Sequence, residues 1–372
     1  MSRARPRNRV RSSRRAAFRR RAALALAAFL PAAGCLPRTG EGTGEPVNIR
    51  VRQGAPFAEV ADSLAAHGIV KWPALFRQYA RFRDAATRIK PGTYAFRTGS
   101  GWDVVLDALV DGRFLTVKLV LPEGIPARDV AARLADITHG SADSLRAVLE
   151  DTTSARRWEV PGPTLEGYLY PSTYDVAVDA TAQSLIDLLV RTYKEVWTPA
   201  RRARADSLGL SEREVVTLAS IVEKEAVHAG EMPLIAAVYH RRLRIGMALQ
   251  ADPTVQYALG EHRTRLLFAD IERVKDHPYN TYTRPGLPPG PIAAASERAI
   301  DAALNPAAAD YLYFVARPDG THVFSRTLAE HNRAVAEMRR LRRQAERTRH
   351  PSPSPPPSPP PSPPPCPCPT SA

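Results

Sequence analysis

Residues 211–228, SEREVVTLASIVEKEAVH, constrain the fold of this 372-residue chain more than any other stretch. Ser211 with Glu214 three residues on has the form of a capping box, in which side chain and backbone satisfy each other's free donors, and an apolar run of helical period follows at once. Val215, Leu218, Ile221 and Val222 recur at steps of three and four, which predicts a helix with one face against a core. Two glutamates sit near its end. Glu225 follows Val222, Ile221 and Leu218 on the apolar face, whereas Glu223 follows Ser220, Ala219 and Val216. Glu225 is therefore expected to be the more desolvated. Desolvation disfavours a carboxylate and raises its pKa, as a general acid working near neutral pH requires. A structural reading stands beside this one: a half-buried glutamate paired with Lys224 or His228.

The formal net charge of +14 resembles that of a nucleic-acid binder, but its distribution excludes one. Residues 1–21 hold ten Arg and no acid, and residues 339–349 hold six Arg against Glu346, so the two ends carry the whole surplus. The body between them is close to neutral and has no broad basic face for a phosphate backbone. All three cysteines, Cys35, Cys366 and Cys368, fall outside the expected folded body, so neither a disulfide framework nor a Cys-based zinc site holds the core. One Glu-x-x-His step, Glu225 to His228, lacks the second copy that a di-metal bundle needs, and there is no H-E-x-x-H. No metal and no cofactor are expected.

Residues 22–35, AALALAAFLPAAGC, follow the Arg-rich start. As helix they would reach about 21 Å, short of the roughly 30 Å hydrocarbon core, and Pro31 interrupts them. This reads as an export signal, with the body outside the cytoplasm. Ala-Ala-Gly before Cys35 resembles a bacterial lipobox, with Ala32 where Leu is usual, so Cys35 is a candidate lipidation site. Lipid on Cys35 and an uncleaved anchor both stay open.

Residues 37–46 read as a linker. Val47, Ile49 and Val51 then alternate as a strand, Gly54 and Pro56 turn the chain, and Val60, Ala61, Leu64 and Ala65 repeat as a helix. Seventy residues on, Val117, Leu119, Gly124, Pro126, Val130, Ala131, Leu134 and Ala135 repeat that layout, either as a related unit or as common strand-turn-helix grammar. Between them Leu75, Phe76, Tyr79 and Phe82 mark a helix, and Lys90-Pro-Gly-Thr-Tyr94 a turn into a strand. Leu165–Val176, LEGYLYPSTYDV, reads as a loop, and 181–197 and 199–207 as helices. A further helix is expected from about Glu231 to Arg244, with Pro233 near its start. Asp252-Pro253 has the form of an N-cap and first helical residue, and Tyr279–Ile292 is too rich in Pro and Gly for a regular element. Ser296–Leu304 reads as a helix. YLYFVA and THVFS flank Arg317-Pro-Asp-Gly320 as a hairpin, and a last helix starts near Thr327. From 351 the chain is low-complexity proline, expected to be an extended polyproline II tail.

LASIVEKEA, AAVYHRRLRIGMALQADPTVQYALG, YNTYTRPGLPPGPIA, DYLYFVARPDGTHVFS and EHN, in that order, resemble the catalytic domain of the MltG-type (YceG-like) endolytic murein transglycosylases. The resemblance implies an α+β fold, with a LysM-like small subdomain followed by a helix-rich α+β catalytic domain. It divides the chain into an Arg-rich leader with signal or anchor (1–36), a linker (37–46), the LysM-like subdomain (47–113), a connecting α+β region (114–198), the catalytic region (199–346) and a disordered tail (347–372). The second Glu of the family's E-K-E triplet is its catalytic acid/base, which falls on Glu225. Glu166 and Tyr168 lie in a stretch that the family carries beside its active site; Glu166 either meets sugar hydroxyls or braces the site. Gln250, Asp252, Asn280 and Tyr282 are the other candidate substrate-binding residues. Trp72, Tyr79 and Trp102 are aromatics able to stack on sugars or to fill a core.

The activity implied is lytic cleavage between N-acetylmuramic acid and N-acetylglucosamine within peptidoglycan strands, leaving 1,6-anhydro ends. A catalytically silent peptidoglycan-binding scaffold that recruits cell-wall synthases is the rival. The expected partners are glycan strands, the membrane through the N-terminal segment, and penicillin-binding synthases, with no nucleic acid. The expected location is the inner membrane, with the body on the periplasmic side.

Overall fold

The computed structural model of the chain describes residues 40–349 apart from 262, 264 and 265. The Arg-rich leader, Cys35 and the proline-rich tail with Cys366 and Cys368 lie outside the described residues. The chain divides into two compact units. The first takes the described residues up to Leu119 together with Tyr174–Thr181, and the second takes Val120–Thr173 and the residues from Ala182 on.

In the first unit β1 (Pro46–Val51) and β2 (Gly92–Arg97) pair antiparallel, from Pro46 opposite Arg97 to Val51 opposite Gly92. Strand alternation turns Ile49, Val51, Tyr94 and Phe96 into one buried face. Helices α1 (Phe57–Ala66), α2 (Pro73–Phe82) and α3 (Trp102–Asp111) cover it with stripes of helical spacing, among them Val60 and Leu64, Phe76 and Ala80, and Val105 and Leu109. The stripe of α2 is narrower than its apolar residues suggest. Leu75 and Phe82, seven apart and so on a common side, are 57% and 86% exposed, while the core takes the side of Phe76 and Ala80. Gly92 (φ 148°) starts β2 because a Cβ there would come within 2.3 Å of the Phe114 ring. The unit's other sheet pairs β3 (Thr116–Val120) with β4 (Thr173–Ala177). The stretch 165–176, expected to be loop throughout, thus ends in a strand. Tyr174 and Val176 alternate with exposed Thr173 and Asp175, a pattern too short to be read from periodicity.

The repeated layout is present as local structure. Pro56 precedes α1 and Pro126 precedes α4 (Ala127–Thr138), both in extended backbone, with Gly54 and Gly124 at φ 75° and 73°. The proline ring pre-sets the φ at which each helix is entered.

The second unit is built from helices. After α4 come α5 (Ala142–Glu150), α6 (Thr152–Arg157), α7 (Ala182–Val196) and α8 (Pro199–Ser207). The central helix is α9 (Glu212–Glu225), and its capping box forms as the sequence predicts. Ser211 Oγ accepts from Glu214 N at 3.3 Å, and Ser211 N donates to Glu214 Oε2 at 2.8 Å. Two features of α9 differ from the expectation. It ends at Glu225, short of the end of the 211–228 stretch, because Ala226 turns to extended backbone at φ −81° and ψ 120°, and the chain restarts as α10 (Met232–Arg244) with Pro233 near its start. It is also buried on every side from Val215 to Val222, so the one-face reading is too narrow. It packs against α8, α10, α11 (Asp252–Leu259) and α13 (Glu297–Leu304). Its polar residues are satisfied locally, with Thr217 Oγ1 donating to Arg213 O and Ser220 Oγ donating to Thr217 O while accepting from Ile292 N.

The short α12 (Phe268–Arg273) precedes the proline-rich segment. The predicted hairpin forms from β5 (Tyr313–Ala316) and β6 (His322–Ser325), with Tyr313 opposite Ser325, and α14 (Leu328–Arg349) follows. Among the described residues no helix is long and apolar enough to cross a membrane.

Candidate active site

A cavity of about 540 Å³ opens where α9 ends, and Glu225, Gln250, Asp252, Tyr282, Tyr313 and His322 are among the residues lining it. The two glutamates of α9 are separated by their partners rather than by the face they occupy. Residues behind both are buried, Ser220, Ala219 and Val216 as fully as Leu218 and Ile221. Glu223 is occupied: its Oε2 accepts from Ser296 N at 3.0 Å and Ser296 Oγ at 2.5 Å, the residue that caps α13. Neither cation considered for Glu225 reaches it, because Lys224 Nζ donates to Gly124 O and His228 Nε2 lies 3.2 Å from Asp319 O. Glu225 instead accepts one hydrogen bond, from Tyr239 OH to Oε1 at 2.8 Å.

Burial lifts the Glu225 carboxyl to about 7, against the Tyr239 hydrogen bond, with the nearby Asp252 charge pushing the same way and Arg242 opposing. Its position at the last residue of α9 adds to this, since the carbonyl end of a helix repels negative charge. The site therefore holds a carboxyl that is protonated in a useful fraction of molecules at neutral pH and can ionise there. Replacing Tyr239 by Phe removes the hydrogen bond that favours the carboxylate while keeping the ring that packs edge-on against Phe314 at 5.8 Å. Glu225 is expected to ionise at higher pH in that variant, as read by NMR titration of the side-chain carboxyl; an unmoved titration would mean the hydroxyl does not govern this group.

The opposite wall is assembled by long-range hydrogen bonds. Gln250, in the left-handed region at φ 50°, donates its N–H to Thr281 O at 3.0 Å, and Ala251 N donates to Thr281 Oγ1 at 3.0 Å. This stitches the 279–283 loop to the start of α11 and brings the Tyr282 hydroxyl onto Asp252 Oδ1. Asp252 is the first residue of α11 and Ala251 its N-cap, so the expected capping role is not the one it has, and its carboxylate faces the cavity. A positive φ on a non-glycine residue at a cavity rim is the kind of local strain that surrounding hydrogen bonds must hold.

Other candidates point inward. Glu166 is 6% exposed and does not line this cavity; both its oxygens accept from Ala127 N, at 3.0 and 3.1 Å, at the first residue of α4. Burial raises its carboxyl to about 8, with the Ala127 hydrogen bond opposing. Tyr168 is fully buried, edge-on to Tyr193 at 5.0 Å, and its OH has no hydrogen-bond partner among the described residues. Gly167 between them has φ 82° and lies where a Cβ would meet the Pro291 ring at 2.4 Å, which presses this loop against the proline-rich segment. Asn280 is fully buried, with its amide nitrogen donating to Ile271 O and Val274 O, both at 3.1 Å, and its Oδ1 accepting from Tyr282 N at 3.0 Å. None of Glu166, Tyr168 and Asn280 is among the residues lining the cavity. In the first unit Tyr79 and Trp102 pack on each other at 5.7 Å, while Trp72 is 51% exposed.

Tyr239, Arg242 and His322 were not singled out from the sequence as site residues. Arg242 is 6% exposed and ties two loops together, Nε donating to Leu312 O at 2.8 Å and Nη1 to Leu249 O at 2.5 Å. Its spacing was legible: it follows Tyr239, Val238 and Ile235 by three, four and seven, on the buried side of α10. Nothing in spacing joins His322 to Glu231, its partner 91 residues away.

The model of the YceG-like family matches residues 49–337. The chain is 33% identical over 307 residues to the endolytic murein transglycosylase of Bacillus subtilis (strain 168), covering 77% of this chain and 83% of that protein. It is 29% identical over 321 residues to the endolytic murein transglycosylase of Streptococcus pneumoniae serotype 2, covering 78% of this chain but 58% of that longer protein. A crystal structure of a yceG-like protein from Listeria monocytogenes superposes with a TM-score of 0.54 at 30% identity, covering 78% of this chain and all of that one.

Proposed function

Because this chain belongs to the YceG-like family, we propose that it is an endolytic peptidoglycan lytic transglycosylase in which Glu225 alone serves as general acid and base. The observation that carries the reading is a carboxyl with no cation paired to it among the described residues, lifted to about 7 and lining a cavity large enough for sugar rings. Protonated Glu225 gives its proton to the glycosidic oxygen between N-acetylmuramic acid and N-acetylglucosamine. The carboxylate left behind takes the proton of the muramic C6 hydroxyl as that oxygen attacks the anomeric carbon, closing the 1,6-anhydro ring without water. Asp252, Tyr282 and Gln250 contact the saccharide. The Asp252 charge both favours an oxocarbenium-like transition state and keeps Glu225 protonated. Glu166, Tyr168 and Asn280 act behind them as braces.

Asp252 also supplies the alternative that the test has to separate, since two carboxyls on one cavity are the equipment of a hydrolase. The Tyr282 hydroxyl on Asp252 weighs against its use as a nucleophile. Digestion of purified sacculi with mass spectrometry of the products is expected to give 1,6-anhydro ends. Reducing ends alone would mean hydrolysis, and no cleavage would leave a binding protein.

The proposal extends to place and partners. The first unit serves as a LysM-like module that meets glycan chains, with exposed Trp72 as the ring available to a sugar face. The Arg-rich leader and the apolar segment to Cys35 attach the protein to the inner membrane with its body in the periplasm, beside the penicillin-binding synthases whose strands it trims. A Cys35→Ser protein that still incorporates palmitate would exclude lipidation at that residue.

A further inference from the structure

The hairpin side of the cavity carries a polar group that the chemistry above does not use. Both carboxylate oxygens of Glu231 hold a single residue: Oε2 lies 2.8 Å from His322 Nδ1, and Oε1 accepts from His322 N at 3.0 Å. The imidazole is fixed further by Phe314, edge-on at 5.3 Å, and by Phe324 at 6.1 Å. Burial alone would lift the Glu231 carboxyl, but the hydrogen bonds from His322 outweigh it and hold the group below its ordinary range, so Glu231 is ionised. A carboxylate can only accept. Nδ1 therefore carries the proton, and in the neutral imidazole the lone pair sits on Nε2.

That nitrogen has no hydrogen-bond partner among the described residues, and the ring lines the same cavity as Glu225. A continuous line of contacts joins the two groups, from Glu225 through the Tyr239 hydroxyl, the Tyr239 ring and Phe314 to His322. An acceptor locked in orientation by a carboxylate and two rings, yet open to a cavity, is organised in advance for a donor that arrives with the ligand. We propose that His322, held by Glu231, is a further substrate-contacting group of this site, its Nε2 accepting a hydrogen bond from a hydroxyl of the saccharide whose glycosidic oxygen Glu225 protonates. This rests on the transglycosylase reading and deepens it. Glu231 is then a positioning residue, acting through the tautomer and orientation of the ring.

Two amide variants of the full-length protein separate this from a packing role. His322→Asn keeps a donor near the Nδ1 position for Glu231 and loses the group at Nε2, whereas His322→Gln keeps an acceptor near Nε2. Both lose the ring alike. The expected result is a kcat/KM for anhydro-end release at least about tenfold higher in the Gln than in the Asn variant at matched Tm, with Glu231→Gln falling between wild type and Asn. A purified peptidoglycan tetrasaccharide should also bind at least about tenfold more weakly when His322→Asn is added to a Glu225→Gln background than when His322→Gln is added. Equal activity and equal binding for the two amides would overturn the proposal. If the wild-type protein releases no anhydro ends, the transglycosylase reading fails by itself, and the binding comparison still reports whether Nε2 meets the sugar.

Discussion

Glu225→Gln is expected to lower anhydro-end release from sacculi by about 10³-fold, the scale of a lost general acid, while the protein stays folded and still binds glycan. The amide keeps the size of the side chain and an acceptor for the Tyr239 hydroxyl at 2.8 Å, but has no proton to give at neutral pH. Stability should move the other way. The folded carboxyl titrates near 7 against an ordinary 4.5, so the stability that the protonated group contributes is complete below about pH 4.5 and is lost as the pH rises through about 7. Gln does not titrate. The Tm of the variant relative to wild type should therefore increase between about pH 5 and pH 8. Retained activity here, with loss in Glu223→Gln, would transfer the acid to the other glutamate. That outcome is not expected, because Glu223 is occupied by Ser296.

Glu166→Ala is expected to cost about 2–4 kcal/mol of stability, combining a cavity with a buried N–H left without an acceptor. Ala127 is 2% exposed, so its N–H at the start of α4 is out of reach of bulk water and relies on the carboxyl. Glu166→Gln keeps an acceptor and should lie near wild type at pH 6. At higher pH the order reverses. The folded carboxyl sits near 8, above its ordinary 4.5, so its contribution is present below about pH 4.5 and disappears as the pH rises through about 8. Thermal melts at about pH 6 and pH 9 measure this, with the Gln variant expected to be the more stable at the alkaline end. An altered KM in Glu166→Gln with an unchanged melt would instead put this carboxyl against the substrate.

Both predictions depend on information that the sequence contains unevenly. The capping box of α9, the proline-entered helices, the hairpin around Arg317-Pro-Asp-Gly320 and the helix at Ser296 are each specified within a few residues, and they form where the pattern puts them. Patterning was weaker where an element is buried all round. In α9 the small residues Ala219 and Ser220 look like a polar face by composition yet lie against neighbouring helices. The sequence marked 165–176 and 279–292 as special without saying which side chains face outward. Glu166, Tyr168 and Asn280 turn in because their hydrogen-bond partners on the backbone, at Ala127, Ile271 and Val274, or a neighbouring ring, lie on that side.

Local chemistry in the chain by itself determined that a capped, apolar helix would end near two glutamates, and that loops rich in proline and glycine would follow it. Only the tertiary structure decided what those glutamates do. Ser296, 73 residues from Glu223, engages it, while Tyr239 and the Asp252 wall leave Glu225 at a cavity; Glu231 and His322 meet across 91 residues. The physical reason is range. Capping and helical period act over a few residues and are written in spacing, whereas desolvation and the choice of hydrogen-bond partner depend on whatever the rest of the chain brings to the same place.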